Sequence, residues 1–219
     1  MRGVEAVQPW FGDTLAQSSV ANLKLDSRTV SAGDVFFALA SGNVLAAHIA
    51  QAQAQGAAAI VIDREKEFSV SSAVPLIAVE NLTAHLGAIA HAFYGEPSQQ
   101  CKVIGVTGTN GKTTCSHWLA QAWQQVSGDA AIIGTLGCGM IAHAYRDETG
   151  MTTPDVLTVH HLLANFVQQG AQMVAMEVSS HALSQQRVDR VQFSSAIFTN
   201  LTRDQHDYHG MMENYAAEK

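Results

Sequence analysis

Ten consecutive residues constrain this chain more than any other feature: Gly105-Val106-Thr107-Gly108-Thr109-Asn110-Gly111-Lys112-Thr113-Thr114. They follow an apolar run, Lys102–Val106, and lead into Lys112–Val126, so the pattern predicts a strand, a tight loop over Gly108–Gly111 and a helix. Glycines let backbone N–H groups turn toward an anion, and the helix N-terminus adds the positive end of its dipole. Lys112 then reaches terminal phosphates, and the Thr113 hydroxyl suits the magnesium that accompanies a nucleotide triphosphate. The generic spacing G-x-x-x-x-G-K-[ST] requires glycine at position 106, where this chain has Val106; its glycines are Gly105 and Gly108. A Gly-rich turn before a helix is the plain alternative, but a Lys-Thr pair directly after glycine argues for a phosphate loop.

The segments around this loop alternate in the same way. Before it, Val35–Leu39, Ala57–Ile62 and Val74–Val79 read as short buried strands, while Ala46–Gln55, stopped by Gly56, and Leu82–Phe93, capped near Asn81, read as helices. A polar stretch with Gly and Pro, Tyr94–Gln100, marks a domain boundary, giving domains over 1–97 and 98–219. After it come strands at Ala130–Ile133, Met173–Val178 and Ser194–Phe198, with a helix at Asp155–Gln169 followed by Gly170. The predicted fold class is therefore α/β: a small N-terminal α/β domain, then the first part of a P-loop, doubly wound, mostly parallel-sheet domain. Ligands in such sheets sit beyond the carboxyl ends of the strands, where Thr107, Glu177 and Thr199–Asn200 fall.

Composition narrows the function classes. With 47% hydrophobic and 14% charged residues the chain has the makings of a packed core, and disorder is not expected. A formal charge of −7 argues against general nucleic-acid binding, which rests on Lys and Arg neutralising phosphates. Cys101, Cys115 and Cys138 form no C-x-x-C pair, so neither a zinc knuckle nor a disulfide framework is expected, and free thiols fit a reducing cytoplasm. The first residues, Met1–Thr14, carry no apolar signal-peptide core, and Ala57–Ile62 is far short of the ~20 residues of a membrane span. The expectation is a cytoplasmic protein with no membrane or nucleic-acid partner, and a monomer.

The loop alone admits a switch GTPase or a small-molecule kinase. No guanine-reading N-K-x-D motif is present, and Asp147–Gly150 fits D-x-x-G only as a short pattern. Met176-Glu177-Val178-Ser179-Ser180-His181 ends a strand on an acid well placed to ligate magnesium, the alternative being an exposed residue capping the next turn. Asp204–Gly210 concentrates carboxylates and imidazoles, the alternative being a polar loop with solvated histidines. Together with Lys112 they point to a metal-bearing active site.

The run Thr107–Thr114 resembles the ATP loop of the Mur ligases, whose glycine spacing is the one seen here. Thr152-Thr153-Pro154, Glu177–His181 and Asp207-Tyr208-His209-Gly210 resemble the branch that adds the third residue of the peptidoglycan stem. Leu25–Arg28, Gly33–Ala38 and Phe93–Ser98 are similar to the N-terminal domain and linker of the same branch. The resemblance covers essentially the whole chain and implies ATP and Mg2+ as cofactors. It also implies two substrates: UDP-N-acetylmuramoyl-L-Ala-D-Glu and a diamino acid, meso-diaminopimelate in first place and L-lysine as alternative. Another Mur ligase, a folylpolyglutamate synthetase-like enzyme and a non-catalytic nucleotide-binding fragment are the rival readings.

Residue roles follow from the resemblance. Gly108, Thr109, Asn110, Gly111, Lys112, Thr113 and Thr114 would hold ATP, with Thr113 and Glu177 on one magnesium. Lys219 matches a lysine that carbon dioxide converts to a carbamate, a ligand for a second magnesium; read alone it is an ordinary helix-surface lysine. His206 is the candidate histidine of that metal, since Gln205 occupies the slot usually held by His, with His209 or no ligand as alternatives. Leu25 and Ser27 match the uridine end of the UDP substrate, and His48 stands for the family's histidine in a segment, Ser41–Ile49, that lacks the usual Asp-Gly-His. Asn110, Thr152, Thr153, Ser179, Gln185 and Arg187 match contacts to its pyrophosphate, sugar and peptide. The planar fork of Arg187 suits an anion, the alternative being a surface arginine after a helix. Family members continue beyond a point equivalent to Lys219, so the rest of the ATP domain and a C-terminal amino-acid domain are expected to be missing here.

Overall fold

Val35–Ala38 and residues 59–62 are apolar on both faces, as strands covered by helices on both sides must be. The computed structural model describes residues 2–16, 18–65, 72–143 and 150–201. Its contacts divide the chain into two units, Met1–Gly95 and Glu96–Lys219.

In the first unit two short helices, α1 (Arg2–Ala6) and α2 (Gln8–Phe11), precede a four-stranded parallel sheet. Its strands run in sequence order: β1 (Leu23–Lys24), β2 (Val35–Ala38), β3 (Ala59–Asp63) and β4 (Leu76–Val79). Phe36, Ile60 and Ile62 pack with Leu45 and Ile49 of α3 (Gly42–Ala54). Alternate residues point the other way, where the Phe37 ring meets Phe11 at 6.1 Å and α4 (Leu82–Phe93) packs on β3.

Two local expectations change. The helix expected from Ala46 begins one turn earlier, at Gly42, which brings Leu45, just ahead of the Ala/Gln-rich stretch, onto the buried face with Ile49. Asn81 does precede α4, but in a left-handed conformation with no side-chain cap; the Asp63 carboxylate at the end of β3 accepts from the Leu82 N–H at 3.0 Å instead.

The second unit holds a five-stranded sheet in the order β7-β6-β8-β5-β9. Along the chain its elements are β5 (Lys102–Thr107), α5 (Lys112–Val126), β6 (Ala130–Gly134), β7 (Gly137–Met140), α6 (Val156–Gln168), β8 (Met173–Glu177), α7 (Ser180–Ser184) and β9 (Phe193–Phe198). β6, β8, β5 and β9 are parallel, and β7 returns antiparallel to β6 through a two-residue turn. α5 lays Ala120 against Ala130, Met173 and Ala175 on one face. α6 lays Val159, Leu162, Leu163 and Phe166 against Ala131, Ile133, Val174 and Met176 on the other.

The helix on each face makes this a doubly wound sheet, as the alternation of segments predicts. Parallel register then delivers the ends of β5, β6, β8 and β9 to one rim. Among the described residues no helix is long and apolar enough to cross a membrane.

Candidate functional site

The loop between β5 and α5 is shaped by two glycines in the left-handed region, Gly108 (φ +136°) and Gly111 (φ +84°). At Gly108 a methyl group would collide with the Thr199 hydroxyl and lie 3.0 Å from the Asn200 backbone N and O. That proximity comes from the end of β9, which grips the loop at several points. The Thr109 N–H donates to the Asn200 carbonyl at 2.9 Å, and the Asn110 N–H to the Asn200 side-chain oxygen at 3.1 Å. Thr199 Oγ1 and Asn200 Nδ2 donate to the Asn110 carbonyl at 2.6 and 3.0 Å. Lys112, the first residue of α5, folds its ammonium back onto the Gly108 and Thr109 carbonyls at 2.9 and 3.0 Å. A cation is thus held at the mouth of a glycine loop and a helix N-terminus, an arrangement that binds phosphate. Thr114, one residue beyond Thr113, is exposed on the first turn of α5.

Glu177, the last residue of β8, is fully buried. Its Oε2 accepts from Thr113 Oγ1 at 2.8 Å and its Oε1 from the Thr135 N–H at 3.0 Å. The Thr135 hydroxyl lies 3.1 Å from Oε2 and 3.0 Å from Thr152 Oγ1. Among the described residues no Lys, Arg or His forms an ion pair with this carboxylate. A buried carboxylate surrounded only by neutral donors is costly unless a cation joins it. Oxygen donors of this kind suit a hard divalent ion that takes most of its other ligands from water and phosphate. No cluster of three or more His, Cys, Asp or Glu side chains occurs among the described residues, so a dedicated all-protein metal cage is absent from that set.

Beside Glu177 the rim carries the other polar groups singled out in the sequence. Thr153, buried, donates its hydroxyl to the Glu177 carbonyl at 2.9 Å and accepts from the Ser179 N–H at 3.1 Å. Ser179 caps α7 by accepting from the Ala182 N–H at 3.1 Å. Gln185 follows α7, and its Oε1 accepts from Arg187 Nε and Nη2 at 2.9 and 2.6 Å. Arg187 Nη1 donates to the Thr153 carbonyl at 2.8 Å. Thr113, Thr152, Thr153, Glu177, Ser179, Gln185 and Arg187 are therefore linked in one network, and Asn110 sits in the loop.

Leu25 and Ser27 lie in the first unit. They line a hollow of about 420 Å³ with Asp26, Arg28, His48 and Gln51. Ser27 Oγ donates to Gln51 Oε1 at 2.7 Å. Arg28 meets Asp26 at 2.7 Å, and this guanidinium holds the Asp26 carboxyl below the ordinary range. Lys219, His206, Gln205, His209 and the Asp207–Gly210 motif lie outside the described residues. Sequence reasoning puts Thr199–Asn200 on the rim without a task, and passes over Thr135. Threonine at the end of a strand that opens beside a phosphate loop is the only local signal for it.

Comparison with known proteins places this geometry in a family. The pattern for the Mur ligase middle domain matches residues 106–219, and that for the Mur ligase family catalytic domain matches residues 19–94. The UDP-N-acetylmuramoyl-L-alanyl-D-glutamate–2,6-diaminopimelate ligase of Pseudomonas aeruginosa is 50% identical over 202 residues, 91% of this chain and 41% of that protein. The ligase of the same name from Xanthomonas oryzae pv. oryzae is 48% identical over 204 residues, 91% of this chain and 40% of its own length. This chain thus spans about 40% of the length of those relatives. A solved structure bearing that ligase name superposes with a TM-score of 0.72 at 30% identity, over 91% of this chain and 40% of the other. The MurF ligase of Thermotoga maritima, solved in complex with ADP, shares the fold at a TM-score of 0.60 and 19% identity, over 91% of this chain and 42% of its own. With a phosphate loop of this spacing, a buried strand-end glutamate beside it and matching patterns across both units, the chain belongs to the Mur ligase family.

Proposed function

We propose that this chain is the UDP-substrate-binding and ATP-binding portion of an ATP-dependent ligase of peptidoglycan synthesis. The reaction is the joining of a diamino acid, meso-diaminopimelate, to UDP-N-acetylmuramoyl-L-alanyl-D-glutamate. The names and identities of the relatives support the substrates. The observation that carries the chemistry is the pairing of Lys112 at the glycine loop with the buried Thr113–Glu177 hydrogen bond beside it.

ATP would transfer its terminal phosphoryl group to the substrate carboxylate with release of ADP. The incoming amine would then attack the carbonyl carbon of the acyl phosphate, lose a proton and expel phosphate, leaving an amide. Positioning and charge neutralisation dominate such transfers. Lys112 and the N–H groups of the first turn of α5 would hold the phosphates, the Thr109 and Asn110 N–H groups being taken by Asn200. Thr113 and Glu177 would hold Mg2+, and the fully buried carboxylate with only neutral donors fits that ion. Arg187, already aligned by Gln185 and the Thr153 carbonyl, presents a fixed cation to an anionic part of the UDP substrate. The Leu25–Arg28 hollow of the first unit would take the uridine end. Lys219, as a carbamate, and His206 would serve a second Mg2+.

The test is phosphate release by the complete protein with ATP, Mg2+, UDP-N-acetylmuramoyl-L-Ala-D-Glu and candidate amino acids. Release that requires the UDP substrate and is greatest with meso-diaminopimelate is the expected result. Greater release with L-lysine would reassign the amino acid. No release with any amino acid, with ATP binding retained, would leave a nucleotide-binding protein and remove the ligase reading.

A further inference from the structure

Thr135 sits in the two-residue turn between β6 and β7, exposed to solvent, yet it makes two contacts to the fully buried Glu177. Its N–H donates to Oε1 at 3.0 Å and its hydroxyl lies 3.1 Å from Oε2, so one residue spans both oxygens. The preceding Gly134 reinforces this grip: a Cβ there would collide with Oε1 and lie 2.8 Å from the carboxyl carbon. A hydroxyl carries one proton. If Thr135 gives it to Glu177, its oxygen accepts from Thr152, 3.0 Å away, and Thr152 is one of the residues assigned above to the UDP substrate.

We infer that Thr135 is a positioning residue. It fixes the plane of the Glu177 carboxylate so that Oε2, shared with Thr113, faces the magnesium of the nucleotide, and it ties that carboxylate to Thr152 on the UDP-substrate side. Without the hydroxyl, Oε2 loses one of its two donors and Thr152 loses its link to Glu177. The backbone contact to Oε1 survives, so the carboxylate stays in the rim but rotates more freely. The inference rests on the reading of Glu177 as a magnesium-site residue.

The experiment measures the Mg2+ concentration that half-saturates binding of a non-hydrolysable ATP analogue to the complete protein, by calorimetry, in four forms: wild type, Thr135→Val, Thr135→Ser and Glu177→Gln. Because Thr135 is exposed, valine has room and the fold is expected to stand; melting curves check this. Thr135→Val should raise the Mg2+ requirement roughly tenfold, the loss of one hydrogen bond to a charged group. Thr135→Ser should restore it to within about twofold, since serine keeps the hydroxyl. Glu177→Gln should weaken the Mg2+ dependence most. A Thr135→Val protein with wild-type Mg2+ dependence beside an impaired Glu177→Gln would overturn the role of Thr135 and keep the site. Equal impairment in valine and serine variants, with lowered melting, would reduce Thr135 to a structural residue and overturn the inference. An unaffected Glu177→Gln would remove the magnesium site itself.

Discussion

Gly108 adopts φ +136° with the Thr199 hydroxyl where a Cβ would lie, so both conformation and space are closed to a side chain. Gly108→Ala is expected to cost about 1–2 kcal/mol from the backbone alone, with further loss from displacing the Thr199–Asn200 clamp. Calorimetry should show ATP binding weakened at least tenfold, on the scale of ~1.4 kcal/mol per factor of ten; binding within a factor of two of wild type would mean that the clamp does not shape the loop. Cys101 offers a pH test in the same unit. Burial pushes its thiol up to about 11 from an ordinary value of 9.0. Its folded value lies above its unfolded one, so the stability it contributes is whole below about pH 9 and is lost as pH rises toward 11. Alkylation by iodoacetamide in the folded protein should therefore stay slow at pH 8 and accelerate only as pH approaches that value, while unfolded protein reacts readily at pH 9. Fast labelling of folded protein at pH 8 would contradict the burial.

At the scale of elements, α6 shows how a cap sets a helix that the site depends on only indirectly. Asp155 accepts from the Leu157 and Thr158 N–H groups and from the Thr158 hydroxyl at 2.6–3.1 Å. Asp155→Ala should cost about 1 kcal/mol, seen as a melting temperature lower by a few degrees, with ATP binding unchanged; an unchanged melting curve would show that the cap does not support α6. The same elements show what a sequence discloses. α4 and α5 span the residues that the sequence pattern assigns to them, although Asn81 does not cap α4, and β5 with its glycine loop is a local pattern. Glu177 is legible because an acid closes an apolar run. α7 and β1 are too short to carry a period, and β7, Gly137-Cys138-Gly139-Met140, has two glycines where strand residues are expected. Thr135, Thr199 and Asn200 gain their tasks from partners 42 to 92 residues away, through strand register that local pattern does not encode.

For the molecule as a whole, the proposed function gives each unit one ligand class. The first offers the Leu25–Arg28 hollow with an ion pair at its side; the second offers the glycine loop, Lys112 and Glu177 on one rim of a parallel sheet. The formal charge of −7 fits this division, since an acidic chain can still bind a phosphorylated ligand through a single lysine, backbone N–H groups and a metal ion. In the proposed reaction the peptide-forming chemistry rests on that second unit, and its central element is Lys112. Calorimetric titration of the complete wild-type protein and its Lys112→Ala variant with ATP and Mg2+ therefore tests the account most directly. Binding by wild type that falls beyond detection, or at least about a hundredfold, in Lys112→Ala is the predicted result, a loss of roughly 2.8 kcal/mol. Equal affinity in the two proteins would contradict the nucleotide site.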